Sequence, residues 1–512
     1  HCLSPKCDCP EIVTPFIQQG NAIPKGGELR CVFRALWPTV QPLVSNCGIF
    51  RGLWGVAMAV DYQGLELTTE SATAEAAYSN CVRGYLGFQT DVGVHLKATL
   101  EADGEMPMAL ITRGYFFHLF SIPALERKAA DSAKAAAEAI AIRGANQREK
   151  WHLAALRAWN VGDMTGATDL WEQIMLHYPH DVMALRLSHF THFYLTGGGA
   201  MRQSVRRILG AWDQDRTDYG FVLGIAAFSH EEAGDYGLAE AFGKQAVEIN
   251  GKDIWATHAV AHVCEMQGRL DEGIAWLDGL SVNWADLNNF RFHAWWHKAM
   301  FHLEKGQFDT VLALYDGEFW AAPSDEYLDF TNAAAMLWRL EYQGVDVGDR
   351  WQGLADVAER HNTDAIMAFA DAHYMMALAK SGRNEAAVAM LDSLAERAGG
   401  SGDQARVTAD VGLPVCRATL ALCRGQAEDA AEILLPLRDH IYRLGGSHAQ
   451  RDVWAQMICR TVLDAGRFSD ARGLLAQRTA IKANSPIAWN WYAEALEGCG
   501  DSAGAAAARS HV

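Results

Sequence analysis

One pattern constrains this chain more than any other. From about Arg148 onward a Gly recurs, followed by a polar residue, with a small or apolar residue five positions after it. Seven positions before it there is usually a small residue. The glycines are Gly162, Gly234, Gly268, Gly306, Gly382, Gly425, Gly466 and Gly500. Their partners at plus five are Ala167, Ala239, Gly273, Val311, Ala387, Ala430, Ala471 and Ala505. Those at minus seven are Ala155, Ala227, Ala261, Ala299, Met375, Ala418, Cys459 and Ala493. Gly234 to Gly268 and Gly466 to Gly500 are both 34 residues. A helix that must stop in a left-handed turn asks for Gly there. Small residues on both arms let two helix axes approach closely. The pattern therefore predicts helix-turn-helix pairs stacked on one continuous core.

Composition agrees. Thirteen Pro in 512 residues and 50% hydrophobic residues suit a chain of packed helices, and no segment alternates as a strand would. The net charge of −18 argues against nucleic acid and anionic lipid as partners. No apolar run is long enough to span a membrane.

The predicted organisation has five parts. Residues 1–57 carry +2 against −20 for the remainder and show no periodicity. They are expected to be an over-extended gene start or a disordered arm, with Met58 as initiator. Cys2, Cys7 and Cys9 lack the paired spacing of a zinc site. Residues 58–147 form a helical cap, with "ALERKAADSAKAAAEAIAI" its clearest helix. Residues 148–395 hold repeats, with insertions between Gly162 and Gly234 and between Gly306 and Gly382. Residues 396–412 read as a loop, and 413–512 as a C-terminal block of repeats. The cysteines from Cys81 onward read as reduced core thiols of a cytoplasmic protein.

The 34-residue helical pair resembles the tetratricopeptide repeat, so the fold expected is an all-α, right-handed superhelix. The strings "IWATHAVAHVCEMQGRLDEGIAWL" (254–277), "FHAWWHKAMFHLEKG" (292–306), "GGSHAQRD" (445–452) and the opening from Asp61 are similar to the tetratricopeptide repeat protein 38 family. That resemblance carries no established activity.

The densest ionisable cluster is His258, His262 and Glu265, at i, i+4 and i+7 along one helical stripe. The resemblance places the fifth, ninth and twelfth residues of a repeat on the concave wall. The preceding repeat brings Glu231 and Glu232 there, and the following one His293 and His297. Two functions follow. The first is an interaction module whose acidic, aromatic, His-rich groove holds a peptide or small molecule. The second is an enzyme using this cluster, with a divalent metal held by His258, His262, Glu265 and His293. A groove that is open favours the first, and one closed into a pocket favours the second. The zincin string H-E-x-x-H is absent.

Other features have plainer explanations. Ser447 and Gln450 form a capping box, leaving His448 and Arg451 able to bind an anion at that helix N-terminus. "TGGGAMRQSVRR" (196–207) reads as a flexible loop. His189, His192 and His373 read as core histidines, and the tryptophans as packing between helix pairs.

Overall fold

The computed structural model describes residues 58–512. The expectations for 1–57, including those for Cys2, Cys7 and Cys9, lie outside the described residues. Two short strands, β1 (Ala59–Val60) and β2 (Glu66–Leu67), pair antiparallel. Everything after them is helical.

The N-terminal cap holds α1 (Ala72–Leu86), α2 (Val92–Ala102), α3 (Pro107–Leu119) and α4 (Pro123–Arg143). The predicted Ala- and Lys-rich helix is α4. Pairs then follow: α5 (Gln147–Asn160) with α6 (Met164–His177), and α7 (Val182–Leu195) with α8 (Gly198–Leu209). Next come α9 (Tyr219–Glu231) with α10 (Tyr236–Ile249), and α11 (Ile254–Met266) with α12 (Leu270–Leu280). After them stand α13 (Phe290–Glu304) with α14 (Phe308–Leu314), and α15 (Tyr327–Tyr342) with α16 (Arg350–His361). The next pair is α17 (Ala368–Lys380) with α18 (Asn384–Ala398), followed by the short α19 (Asp403–Val407). The last pairs are α20 (Leu413–Cys423) with α21 (Ala427–Leu434), α22 (His448–Asp464) with α23 (Phe468–Ile481), and α24 (Pro486–Gly498) with α25 (Ser502–Arg509).

All eight predicted turn glycines have φ between +67° and +82°. The small residues of the pattern are buried, Ala227, Ala239, Ala261 and Ala299 completely. At Gly273 a Cβ would lie 2.3 Å from the Phe301 ring, so only Gly permits that approach. The described chain is thus an all-α, tetratricopeptide-like repeat superhelix. The first helices of successive pairs stack to form its inner wall.

Three expectations change. The supposed insertions are two further helix pairs, α7–α8 and α15–α16, turning at Gly197 (φ +81°) and Gly344 (φ +75°). The expected loop 396–412 is mostly helical, because α18 runs to Ala398 and a π-helical turn, Thr408–Gly412, leads from α19 into α20. One hydrophobic core crosses it from Trp296 to Ile458, so nothing separates off the C-terminal block. Gly198 and Gly199 belong to α8 rather than to a flexible loop.

The superhelix completes a turn and lies back on itself. The Asp403 amide donates to the Gly162 carbonyl at 3.0 Å, and the Thr165 amide donates to Asp403 Oδ2 at 2.7 Å. The Gly445 and Gly268 turns press on Tyr194 and Asn484 in the same way. Such contacts join positions 216 to 251 residues apart.

Candidate metal centre

The start of α11 is fixed by Asp253, whose Oδ1 accepts from the Ala256 amide at 3.0 Å. From that start, His258, His262 and Glu265 follow on successive turns. The next first helix, α13, supplies His293 and His297, and the previous one, α9, ends at Glu231 with Glu232 just beyond. These three helices are packed neighbours. The sequence-predicted residues therefore do converge, but the wall they share is closed. His258, His262, Glu265, His293, His297 and Glu231 are all between 0 and 4% exposed. Phe228, Trp255, Phe290 and Trp296 fill the space around the imidazoles, and α22 packs across α11 and α15. An open groove for a peptide is not what these side chains line.

Four imidazoles form the centre. His258, His262, His293 and His297 each offer a ring nitrogen within 4.8 Å of all the others. The ring centroids of His262 and His297 are 4.3 Å apart, and those of His258 and His262 are 4.4 Å apart. Glu265 does not join this set. Its Oε2 instead accepts from Nδ1 of His297 at 3.1 Å, so His297 takes the ligand place assigned above to Glu265. The reason is geometric: α13 approaches α11 with His297 level with Glu265.

The tautomers follow from the partners. A carboxylate only accepts, so His297 carries its proton on Nδ1. Asn332 Oδ1 likewise accepts from His293 Nδ1 at 2.9 Å. The Nε2 atoms of the two rings face each other at 3.2 Å. For nitrogen bound tetrahedrally to zinc at 2.0–2.1 Å, the ligand–ligand spacing is about 3.3 Å.

Both ring nitrogens of His258 and of His262, both oxygens of Glu231 and one of Glu265 have no hydrogen-bond partner. Each such buried orphan costs about 1–3 kcal/mol. His262 Nδ1 reaches only to within 3.6 Å of Glu231 Oε2. Burial, and then the neighbouring imidazoles, push His258, His262 and His293 well below the ordinary imidazole range, so they are neutral. Neutral imidazole is the form that binds metal. Burial pushes the Glu231 carboxyl well up, and Glu232 and Glu265 push it further. Glu265 is held low: burial alone would raise it, but the bond from His297 and nearby cations override that.

His448 and Arg451 are not free for an outside anion. The capping box of Ser447 and Gln450 is present. The anion at that helix N-terminus is Glu232, which accepts from the His448 amide at 2.8 Å and from Arg451 at 3.1 Å. Among the histidines read as core, His373 fits fully, donating Nδ1–H to the Phe369 carbonyl at 2.7 Å. His189 meets Ser229 on one side only, and His192 pairs with Glu172 near the surface. The sequence reasoning missed Asn332, Phe88 and Arg186. Arg186 is 1% exposed and lies against the Trp255 ring that also touches His258. The polar character of Arg186 within the otherwise apolar run "VMALRLSHF" was the available signal.

No protein-family model matches the sequence. Among solved structures, the human IFIT1 dimer with m7Gppp-AAAA aligns at 13% identity over 78% of this chain and 88% of that one, with a TM-score of 0.33. An IFIT1 monomeric mutant with Gppp-AAAA aligns at 13% identity over 86% and 95%, also with a TM-score of 0.33. Among the described residues no helix is long and apolar enough to cross a membrane, and the six cysteines are free thiols.

Proposed function

We propose that this chain is a metal-dependent enzyme built on a tetratricopeptide-like superhelix, with a divalent transition metal held by His258, His262, His293 and His297. The observation that carries this reading is the convergence of four buried imidazoles, each offering a ring nitrogen within 4.8 Å of all the others. The all-imidazole donor set suits zinc, copper, nickel or iron. Glu265 orients His297, and Asn332 orients His293, as outer partners of metal-bound imidazoles do. Glu231, protonated and facing His262, is placed to hand a proton to a reacting group. A site enclosed on all sides fits a small-molecule substrate, and the −18 net charge speaks against nucleic acid. We also assign the chain to the tetratricopeptide repeat protein 38 family on the four strings quoted above, and to a reducing, cytoplasmic setting on its free thiols.

Elemental analysis of the purified full-length protein tests the metal. About one equivalent of transition metal per chain is expected, falling at least tenfold in His293→Ala. Reconstitution with Co(II) is expected to give the intense visible absorption of a tetrahedral site. Metal-free protein from metal-supplemented medium, with no Co(II) spectrum, overturns the reading.

A further inference from the structure

Next to the imidazole cluster lies a second unbalanced charge. Arg186, on α7, is 1% exposed. Its Cζ is 4.2 Å from the Trp255 ring centroid, 4.6 Å from Phe190 and 4.8 Å from Phe88. These rings attract a cation through their faces, but a ring face cannot accept the in-plane N–H bonds of a guanidinium. Nε and Nη2 of Arg186 meet no acceptor among the described residues. Those two donors share one edge of the guanidinium, the edge that grips a carboxylate through two parallel bonds. Burial pushes the guanidinium down to about 10, and Tyr85 and Asp253 oppose that, so it stays charged at neutral pH. Asp253 does not neutralise it: one of its oxygens caps α11, and the other has no partner.

Arg339 shows what a purely structural buried arginine looks like in this same chain. Its Nη1 donates to the Ala335 carbonyl at 3.1 Å and its Nη2 to the Ala449 carbonyl at 2.7 Å. Arg186 has no such anchors.

The cage around Arg186 is strained on one side. Phe88 takes the left-handed conformation (φ +54°), which bulky residues rarely adopt. Its carbonyl accepts from the Asn288 amide at 2.8 Å, and its ring stacks on Phe290 at 4.5 Å. Phe88 and Phe190 are only half-buried, so the cage reaches the surface there.

We infer that Arg186 is the anion-binding residue of an internal subsite beside the four imidazoles, and that its ligand is a small carboxylate with an apolar body. The carboxylate seats on the Nε–Nη2 edge, and the apolar body lies toward the half-buried Phe88 and Phe190, where the cage reaches the surface. That this ligand is the substrate rests on the metal reading above; the carboxylate subsite does not.

The test is calorimetric titration of the full-length protein with hexanoate, phenylacetate, phenylacetamide and inorganic phosphate. The carboxylates are expected to bind at least tenfold tighter than the amide or phosphate. Arg186→Gln and Arg186→Met are expected to weaken carboxylate binding at least tenfold while leaving the unliganded thermal midpoint unchanged or higher, since each removes an unpaired buried charge. Absence of carboxylate binding, equal binding of the amide, or preference for phosphate overturns the proposal. So does a fall in the unliganded midpoint of both variants, which marks Arg186 as structural. Carboxylate binding that needs Arg186 in protein shown to take no metal would retain the subsite and remove the metal reading. Bound metal without carboxylate binding would do the reverse.

Discussion

At Asp371, on α17, burial alone sets a measurable stability cost. The side chain is 2% exposed, and Oδ2 has no partner. Burial raises its pKa to about 8, with Asp364 raising it further and Arg397 opposing. In the unfolded chain the group titrates near 3.8. Between those values the folded state holds a proton that the unfolded state has released. Folding is therefore favoured as pH falls from 8 toward 4 and disfavoured as pH rises through that window. Asp371→Asn removes the dependence. Urea unfolding at pH 5 and pH 8 is expected to show the variant gaining roughly 3 to 4 kcal/mol on wild type over that interval. Equal slopes for the two proteins would mean that Asp371 is ionised in place. Two neighbouring glycines give a second residue-scale test. A Cβ on Gly198 would lie 2.1 Å from the Glu232 carbonyl oxygen, whereas one on Gly199 meets nothing within 4 Å. Gly198→Ala is expected to cost about 3 kcal/mol by overpacking. Gly199→Ala is expected to stabilise by about 0.5–1 kcal/mol through helix propensity. Thermal denaturation of both variants checks the pair, and a similar effect at the two positions would refute the close approach of α8 to Glu232.

At the scale of elements, what could be seen in the sequence depended on whether one local chemical requirement repeated. The eight glycines were visible because a left-handed turn and two small partners recur together. The pairs turning at Gly197 and Gly344 were hidden because their corresponding positions carry Phe190, Arg202, Leu337 and Asp349, which do not make the small-residue contact. The stretch 396–412 looked like a loop because of Gly399, Gly400 and Gly402, yet only Gly402 adopts a positive φ there, where it meets Gly162. The site followed the same logic. His258 with His262, and His293 with His297, were legible as one-turn spacings on two helices. Which nitrogen faces which was not legible, because the choice of Glu265 as orienting partner rather than ligand depends on the level at which α13 meets α11. The surroundings of Arg186 and the partner of Glu232 were invisible for a related reason. Arg186 meets Phe88, in the turn after α1, and Trp255, on α11, and Glu232 meets Arg451 across 219 residues, distances no local pattern spans.

At the scale of the whole described molecule, the back-folded turn should change how the protein unfolds. A solenoid whose repeats touch only their neighbours can lose them one by one. Here the first and second turns of the superhelix are tied at separated points. Glu232, its side chain 1% exposed, pairs with Arg451, and Asp403 accepts from Thr165. The first tie couples α22 to the end of α9 and the second couples α19 to α6, which should make unfolding of residues 58–512 a single cooperative transition despite its length. Glu232→Ala leaves Arg451 without its carboxylate at a cost of about 3 kcal/mol, and Asp403→Ala removes hydrogen bonds worth about 1–2 kcal/mol. Calorimetry of the double variant is expected to resolve two transitions where wild type shows one. Native-state hydrogen exchange should show amides of α22–α25 losing protection before those of α5–α6. A wild-type protein that already melts in steps, or a double variant that still melts in one, would show that the ties add contacts without coupling the two turns. The imidazole cluster is enclosed by α22, so the same coupling would set how often that interior opens to solvent.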